Sequence, residues 1–452
     1  MFKTWLAQQA YTLLLRLLVP AYLWRVWRRG RQEPVYRVHW PQRLGFYGRA
    51  HRQKVAHARS GRGPLIWLHA VSLGETLAAK PLLIELRRVW PGLRLVLTHG
   101  TATGREAGAA LLQEGDVQTW LPYDTPGAVR RFLRLHGVRM GVLMETEIWP
   151  NVQREAARAG LPMVLANARL SEKSLRQALR LRALMHPAAQ SLALVLAQTQ
   201  ADAERLLQAG APRVKVCGNV KFDLTPSPEL MDRGRAWAQA SVRPIVLAAV
   251  TREGEEADLL AAWTQLHRGA TDDDLAPRLV IVPRHPQRFD EVAALVAQHG
   301  LSLSRRSSWP IDGNPGSAAL ACQVWLGDSM GEMPAYYAAA RVALLGGSFA
   351  PLGGQNLIEA AACGCPLVMG PHTFNFAQAA ELSEAAGAAV RVSTFEQALD
   401  AAVAMMAPQR HAPMVANALG FALAHKGAAC RMAEAMGDIS PDLGDRVSCV
   451  NQ

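Results

Sequence analysis

Gly346–Phe376 has the sequence GGSFAPLGGQNLIEAAACGCPLVMGPHTFNF, and its glycines indicate how this part of the chain folds. The first glycine pair follows the apolar run Val342–Leu345, which predicts a strand that ends in a turn. The second pair, Gly353 and Gly354, precedes an alanine-rich apolar segment. This segment predicts a helix that begins near Asn356, a good N-cap residue. We therefore expect a strand, a glycine turn and a helix.

A glycine turn that leads into a helix suits an anion, because backbone N–H groups and the positive end of the helix dipole face it. Glu359 lies three residues beyond Asn356, on the side of the helix start. Its carboxylate could accept hydrogen bonds from ribose hydroxyls while the N–H groups hold a phosphate. The pattern thus predicts a nucleotide site. The alternative from the pattern alone is a glycine turn with a buried helix.

Short apolar runs alternate with helical patterns along most of the chain, once before and once after a proline-containing segment. The predicted strands are Leu65–His69, Leu93–Thr98, Val138–Met144, Met163–Ala166, Leu192–Ala197 and Val214–Cys217, then Ile245–Ala249, Leu279–Val282, Gln323–Leu326, Val342–Leu345, Pro366–Val368 and Ala388–Val392. This alternation predicts βαβ units and an α/β fold with two doubly wound, Rossmann-like domains. Ligands are expected beyond the carboxyl ends of the strands, in a cleft between the domains.

The same pattern gives the expected domain boundaries. A helix with a basic flank occupies residues 1–35, and the first Rossmann-like domain occupies 36–225. A linker with Pro226, Pro228 and Pro244 spans 226–244. The second Rossmann-like domain occupies 245–425, and a tail without any motif follows at 426–452.

The amino-terminal segment combines aromatic and leucine side chains with arginines. Trp5, Trp24 and Trp27 lie among leucines, and four arginines follow within Arg25–Arg31. Aromatic and basic residues together favour a bilayer interface, whereas Arg16 disfavours deep insertion. A signal peptide would carry its charges before the apolar core, so none is expected. We predict a membrane-attached helix with the rest of the chain on the cytoplasmic side. The alternative is a core helix of a soluble domain.

The composition favours a globular protein with an anionic partner. The chain has 452 residues, half of them apolar, and a formal net charge of +12. Such a charge favours a phosphate-bearing ligand or an anionic membrane surface. Nucleic acid is disfavoured, because zinc-finger spacing and an aromatic RNA-binding stretch are both missing. The P-loop and G-x-S-x-G motifs are missing too, and the cysteines and histidines lack the spacing of a metal site.

Polar residues follow several predicted strands of the first domain. Glu75 lies in the first turn of the helix after the first strand, where it could act as a general base or, more simply, cap the helix. Glu145 and Glu147 follow the strand Val138–Met144. One of these carboxylates is expected to bond the backbone and the other to face the ligand. Lys221 closes the domain and could balance developing negative charge.

Loops of the second domain favour contacts with a phosphate and a nucleoside. Prolines on both sides stiffen Arg284 and His285, and an arginine fork can bind a phosphate through two parallel hydrogen bonds. The loop Asp328–Pro334 contains a glycine turn, which lets a ligand approach the backbone closely. Together with the glycine stretch, these loops predict the donor side of a nucleotide-dependent reaction.

Seven motifs in order are similar to those of one family. They are SLGE (72–75), ETEIWPN (145–151), NARLS (167–171), GNVKFD (218–223), PRHP (283–286), MGEM (330–333) and GGQN…GPHTFNF (353–376). With GFYG at 45–48, they resemble the 3-deoxy-D-manno-octulosonic acid (Kdo) transferases of lipopolysaccharide assembly over almost the whole chain. Two positions depart from the family pattern: Arg252 stands where histidine is more frequent, and Leu357 where proline is frequent.

The resemblance implies a GT-B glycosyltransferase fold with its two domains facing a central cleft. It implies CMP-Kdo as the donor, a lipid A precursor (lipid IVA) as the acceptor, and no cofactor or metal. It also implies attachment by the amino-terminal helix to the anionic cytoplasmic face of the bacterial inner membrane. Glu75 would be the catalytic base, and Glu145 and Lys221 would stabilise the transition state. The implied donor-binding residues are Pro283, Arg284, Met330, Gly331, Glu332, Asn356, Leu357, Ile358 and Glu359.

The chemistry expected from the residues agrees with this resemblance. Arg284 and the helix that begins near Asn356 can absorb the charge of a departing CMP, so the chemistry requires no metal. Attack opposite the leaving group would invert the anomeric centre through an oxocarbenium-like transition state. Two alternatives are a GT-B enzyme that uses a UDP-sugar and a membrane-attached scaffold that lost the chemistry. The intact Glu75 and the complete donor loops argue against the scaffold.

Overall fold

The computed structural model of the chain describes residues 2–266, 276–310 and 313–439. These residues divide into two compact units. The first unit contains residues 2–223 and 427–439, and the second contains the described part of 224–426. Each unit is built around one parallel sheet with helices between successive strands. The predicted α/β class with two Rossmann-like domains is therefore confirmed.

The first unit contains a sheet of seven parallel strands. They are β1 Leu65–His69, β2 Arg94–His99, β3 Val117–Trp120, β4 Met140–Met144, β5 Met163–Ala168, β6 Leu194–Ala197 and β7 Val214–Val216. Their order in the sheet is β3-β2-β1-β4-β5-β6-β7. The chain runs outward from β1 to β3 and then crosses to β4 on the other side of β1. The carboxyl ends of β1 and β4 therefore form the switch point at which such sheets bind ligands.

The described part of residues 2–223 contains nine α-helices. They are α1 Phe2–Arg29, α2 Arg49–Ser60, α3 Leu73–Val89, α4 Ala102–Ala109, α5 Pro126–His136, α6 Pro150–Arg158, α7 Glu172–Arg180, α8 Arg182–Gln190 and α9 Gln200–Gln208. Because side chains alternate along a strand, Ile66 and Leu68 of β1 pack into the apolar layer that contains α3. Trp67 points the other way, and its ring lies 4.9 Å from that of Phe132 on α5.

The second unit contains another sheet of seven parallel strands. They are β8 Ile245–Thr251, β9 Arg278–Pro283, β10 Leu303–Arg305, β11 Val324–Leu326, β12 Val342–Leu345, β13 Leu367–Met369 and β14 Ala389–Arg391. The order is β10-β11-β9-β8-β12-β13-β14, so the switch point lies between β8 and β12. The glycine stretch that begins at Gly346 directly follows β12, as the sequence predicts.

Nine helices belong to the described part of the second unit. They are α10 Pro228–Ala240, α11 Glu255–Leu266, α12 Phe289–Gln298, α13 Ser317–Ala321, α14 Met333–Ala339, α15 Leu357–Ala362, α16 Ala377–Ala385, α17 Phe395–Met406 and α18 Pro408–Ala424. Most of the segment 226–244, expected as a linker, is helix α10. Its Trp237 is buried and donates a hydrogen bond to the carbonyl of Gly313. Its Gly234 lies so close to Ala335 of α14 that a β-carbon would meet that carbonyl at 2.2 Å.

The chain returns to the first unit after residue 426. Helix α19 Ala428–Asp438 packs on α3, and its Met432 and Met436 are fully buried in the apolar layer. Asp223 accepts hydrogen bonds from the N–H groups of Gly427 and Ala429, at the start of α19. The segment expected as a tail without a motif thus covers the helix that carries Glu75.

Helix α1 is docked on the first unit through its polar side chains. Gln8 and Thr12 both donate hydrogen bonds to Oδ1 of Asn151, and Tyr11 donates to Asp124 at 2.8 Å. The opposite side is exposed and carries large apolar residues: Phe2, Trp5, Leu6, Leu13, Leu14, Leu17, Trp24 and Trp27. Within the described ranges, no helix is both long and apolar enough to cross a membrane.

Two strands were missed by the sequence prediction, and both lie at an edge of their sheet. Strand β3 contains Gln118 and Thr119 between Val117 and Trp120, which breaks the apolar run. Strand β10 has the sequence Leu-Ser-Arg and is only partly buried. An edge strand covers less of the core than a central one, so its sequence is less apolar.

Candidate active site

Glu75 occupies the third position of α3, at the carboxyl end of β1. Ser72 caps this helix, because its Oγ accepts a hydrogen bond from the N–H of Glu75. The Glu75 carboxylate points back to the turn that precedes α3. Its Oε2 accepts a hydrogen bond from the N–H of Val71 at 2.8 Å, and its Oε1 accepts one from Ser72 Oγ at 3.3 Å. This arrangement differs from a capping box in one respect: the carboxylate accepts from the N–H of Val71, the residue before the N-cap, and not from that of Ser72. The capping role that the sequence offers as the simpler alternative is still realised.

The same carboxylate has an unusual affinity for a proton. Burial raises the pKa of Glu75 to about 7, and the nearby carboxylates of Glu145 and Glu147 add to this rise. The N–H of Val71 opposes the rise but does not cancel it. A carboxylate with a pKa near neutral pH can both take up and release a proton under physiological conditions. Capping and proton transfer are thus compatible at Glu75.

Glu145 lies directly after β4, on the other side of the switch point. It is 6% exposed and accepts hydrogen bonds from two cations. The Nζ of Lys221 lies 2.9 Å from its Oε1, and the Nε of Arg169 lies 3.1 Å from its Oε2. Its hydrogen bonds are therefore to side chains. One of Glu145 and Glu147 was expected to bond the backbone, and Glu145 does not have that role in these two bonds. Burial raises the pKa of its neighbour Glu147, and the charge of Glu145 contributes.

The backbone around this group is held in an uncommon conformation. Glu145 has a φ of 56° and Asn167 a φ of 51°, in the left-handed region. Asn167 lies near the end of β5, and its Oδ1 accepts a hydrogen bond from the N–H of Val220. Asn219 in turn accepts the N–H of Lys221 through its own Oδ1. Such left-handed residues are often found at functional sites. Here hydrogen bonds link the loops that carry Glu145 and Lys221.

Two arginines stand together at the carboxyl ends of β8 and β9. The backbone N–H of Arg284 donates to the carbonyl of Thr251, which fixes the loop after β9. Burial lowers the pKa of Arg284, and the charge of Arg252 lowers it further. No carboxylate within the described ranges forms an ion pair with either guanidinium. Neighbouring cations without a counter-charge favour an anionic ligand, such as a phosphate.

The first glycine turn has an internal partner that the sequence analysis missed. Glu255 begins α11 and is almost fully buried. Its Oε2 accepts the N–H groups of Gly347 at 2.7 Å and Arg252 at 2.9 Å, and its Oε1 accepts those of Phe349 and Ala350. A carboxylate of the protein therefore already occupies the anion position at this turn. The EGEE sequence after β8 was visible, but its partner lies 92 residues away.

The second glycine pair leads into α15, as predicted. Gly353 and Gly354 have φ values of 89° and 74°. Asn356 is the N-cap residue, but its side chain caps nothing, and its Oδ1 is buried with no hydrogen-bond partner among the described residues. Burial alone raises the pKa of Glu359, three residues on. The two side chains expected at a nucleoside are thus an amide oxygen and a carboxyl group whose burial no partner within the described ranges offsets.

The other predicted donor-binding residues differ in what they can offer. Pro283, Leu357 and Ile358 are buried, so their side chains offer almost no exposed surface to a ligand. Met330 is exposed, and Gly331 has a φ of 79°.

Glu332 is already engaged by two cations. Its Oε1 lies 2.7 Å from Arg233 and 2.9 Å from Arg306. Burial opposes the shift, but the hydrogen bonds from Ser329 and both arginines lower the pKa of Glu332. This carboxylate fixes the loop and is a weak candidate for direct contact with an anionic donor. Across the part of the chain that the structure describes, no group of histidine, cysteine and acidic residues could hold a metal ion.

Comparison with known proteins identifies the family. The family model of 3-deoxy-D-manno-octulosonic-acid transferase (kdotransferase) matches residues 38–224. A 3-deoxy-D-manno-octulosonic acid transferase of Bordetella pertussis is 47% identical over 438 residues, which cover 95% of this chain and 98% of the relative. The chain belongs to the Kdo transferase family. A Kdo transferase of Haemophilus influenzae is 33% identical over 87% of this chain and 89% of its own length.

Membership of this family makes the protein a glycosyltransferase, and the fold agrees. The solved structure of a glycosyltransferase from Rickettsia africae superimposes with a TM-score of 0.57 over 84% of this chain and 100% of that chain. The two sequences are only 11% identical, so this likeness concerns the fold alone. The predicted GT-B fold class is confirmed.

Proposed function

We propose that this Kdo transferase moves Kdo from CMP-Kdo to a hydroxyl group of a lipid A precursor, lipid IVA, with inversion of the anomeric centre. The observation that carries the proposal is Glu75, a carboxylate with a pKa near 7 at the switch point of the first sheet. A transferase needs a group that removes a proton from the acceptor hydroxyl as its oxygen attacks. Glu75 has the position and the proton affinity for this role.

The proton transfer is proposed to use Oε1 of Glu75. Its bond to Ser72 Oγ is long, at 3.3 Å, whereas Oε2 is held at 2.8 Å by the N–H of Val71. An incoming hydroxyl would replace the weaker bond and donate its proton to Oε1. Oε2 would remain fixed, so the base would keep its orientation during the reaction.

Glu145 and Lys221 are proposed to stabilise the transition state. An oxocarbenium-like transition state carries positive charge at the sugar and negative charge on the departing phosphate. The buried Glu145 carboxylate would favour the first, and the Lys221 ammonium the second. Their hydrogen bonds to each other and to Arg169 fix both groups before the substrate arrives.

The donor is proposed to bind at the switch point of the second sheet. Arg284 and Arg252 would hold the phosphate of CMP, and Glu359 would accept the ribose hydroxyls. The buried Oδ1 of Asn356 offers a further acceptor. CMP already is a good leaving group, so the two cations would supply the charge stabilisation on departure without a metal.

The acceptor is a lipid, and α1 is proposed to keep the enzyme at the bilayer that contains it. The exposed side of α1 carries tryptophans and leucines, and arginines follow at its end. Such a helix suits the anionic cytoplasmic face of the inner membrane. The proposal is a helix that lies in the interface.

The decisive experiment incubates the purified protein with CMP-Kdo and lipid IVA and determines the mass of the lipid product. We expect product that has gained Kdo, and far less of it in the same time with Glu75→Gln. In parallel, CMP should protect the protein from thermal unfolding more than UDP does. Protection by UDP but not by CMP, with no Kdo transfer, would instead indicate an enzyme that uses a UDP-sugar.

A further inference from the structure

A second group of cations lies at the carboxyl end of β3, outside the residues assigned above. Arg43 and Arg105 both lie over the ring of Trp120, with their guanidinium carbons 3.9 and 4.9 Å from its centre. Trp120 itself is fixed, because its Nε1 donates to the carbonyl of Val38 at 2.8 Å. Arg43 belongs to the short 3-10 helix Trp40–Leu44, and Arg105 to the first turn of α4.

The donor groups of this cluster are not satisfied. Arg43 is only 5% exposed. Its Nε and Nη2, the Nη1 of Arg105 and the hydroxyl of Tyr123 are buried, and none has a hydrogen-bond partner among the described residues. Neither arginine forms an ion pair within those ranges. In native proteins, buried polar groups and especially buried charges are almost always paired.

The aromatic ring compensates these charges only in part. Stacking on an indole stabilises a guanidinium but satisfies none of its N–H groups. Burial lowers the pKa of Arg43, and burial together with the charge of Arg43 lowers the pKa of Arg105 to about 10. Among the described residues, the cluster therefore has two neighbouring cations and four donor atoms without a partner, and no anion pairs with it.

We propose that Arg43 and Arg105 form a binding site for a phosphate group carried by a lipid. A phosphate matches the arginine fork, and it can also accept a bond from the hydroxyl of Tyr123. Arg43 is buried, whereas Arg105 is only half-buried, so the phosphate is expected to approach from the side of Arg105.

The position of the site suggests which lipid provides the phosphate. Strand β3 is two strands from β1 in a parallel sheet, so its end lies on the same edge as Glu75 and about 10 Å away. A phosphorylated sugar lipid whose hydroxyl reaches Glu75 could span this distance. This assignment rests on the proposed function. The other source of the same chemistry is a phospholipid of the bilayer, because the aromatic ring of Tyr22 on α1 lies 5.7 Å from that of Tyr123.

The test compares wild-type protein with the Arg105→Gln and Arg43→Gln variants in two assays. The first measures KM for lipid IVA and for the same lipid after removal of its phosphates, with CMP-Kdo as donor. If the acceptor supplies the phosphate, the variants should raise KM for the phosphorylated lipid about tenfold, in line with one lost charge-assisted hydrogen bond. KM for the dephosphorylated lipid and for CMP-Kdo should not change.

The second assay measures binding to vesicles of phosphatidylglycerol and of phosphatidylcholine, and it does not depend on activity. A loss of binding to phosphatidylglycerol alone, with an unchanged acceptor KM, would assign the phosphate to the bilayer. Arg131→Gln is the matched control, because this arginine stacks on Phe46 but is exposed and hydrogen-bonded to Leu44. It should leave both assays unchanged.

A purely structural stacking role predicts another result. If Arg105→Gln folds with normal thermal stability and changes neither assay, the proposal is overturned. Since Arg43→Gln could fail to fold, the half-buried Arg105 alone decides in that case. If the wild-type protein transfers no Kdo at all, the proposed function fails, but the vesicle assay still tests the phosphate site.

Discussion

The two sheets of this protein present different chemistry at equivalent positions. At the switch point of the first sheet, Glu145 is paired with Lys221 and Arg169. At that of the second sheet, Arg284 and Arg252 stand together, and within the described ranges neither has a counter-charge and Glu359 has no partner that offsets its burial. Catalytic groups must be held in position before the substrate binds. Groups that bind a charged ligand can remain unpaired until the ligand itself supplies the opposite charge. The contrast supports the proposed division into a catalytic half and a binding half.

The largest expected effect is at the catalytic half. Replacing Glu75 by Gln keeps the helix cap but removes the base, so the transfer rate should fall about a thousandfold. CMP affinity should not change, because Glu75 is not among the residues proposed to hold CMP. Glu85→Gln, on the same helix α3, is the control and should retain full activity. Near-normal turnover of Glu75→Gln would remove Glu75 as the base.

The next effect is at the binding half. Arg284→Gln should weaken CMP binding by about 10- to 100-fold, because a charge-assisted hydrogen bond to the phosphate is lost. Titration calorimetry with CMP measures this directly. The exposed Arg235, also in the second unit and paired with Asp232, provides the control variant Arg235→Gln. If both variants bind CMP equally well, the cation pair is not the phosphate site.

The pH dependence of kcat/KM should differ from the pH dependence of CMP binding. The base must be ionised to act, and the pKa of Glu75 is raised to about 7. The rate kcat/KM should therefore fall about tenfold per pH unit below 7 and reach a plateau above 8. CMP binding should not follow this curve. A profile that stays flat down to pH 5 would contradict the assignment.

The same group links stability to pH. The pKa of Glu75 is about 7 in the folded state and 4.5 as its ordinary value, so the folded protein retains a proton that the unfolded chain releases. The contribution of Glu75 to the free energy of unfolding is therefore fully present below pH 4.5, and it is lost as the pH rises to 7. Thermal unfolding of Glu75→Gln should lack this part of the decline.

The smallest expected effect concerns the support of the donor loop. Glu255→Gln keeps the shape but places an amide against backbone N–H donors such as those of Gly347 and Phe349. We expect CMP affinity to fall about fivefold, as for one weakened hydrogen bond, together with a lower unfolding temperature. Glu253→Gln, an exposed residue of the same loop, should change neither. Unchanged affinity with lowered stability would limit Glu255 to a structural role.

Central strands and the glycine stretch could be predicted from the sequence because their signals are local. Leu65–His69 and Val342–Leu345 have the predicted bounds, since both are short apolar runs with clear ends. The segment 226–244 was expected as a linker, because prolines flank a polar, helix-like run. That run is α10, which Pro228 opens, at a position where a missing N–H costs nothing.

The site residues that the sequence missed depend on distant contacts. Glu255 looked like an ordinary residue at a helix start, and only folding brings it to Gly347. Arg43 and Arg105 lie 62 positions apart, and neither belongs to a motif that pattern reasoning would connect. Conversely, Glu75 was predicted because its turn, its helix and its strand follow one another directly. The pKa of Glu75 could not be predicted, since it arises from burial and from two glutamates on another loop.

The return of the chain at Gly427 has a practical meaning for anyone who wishes to dissect the enzyme. The second unit is an insertion within the first, and α19 is the closing piece of the surrounding fold. Deleting everything after residue 426 would strip α3 of its apolar cover and expose Met432's former contacts to water. The unit that carries Glu75 should therefore be produced by joining residue 223 directly to residue 427. The second unit should be produced as the continuous segment 224–426.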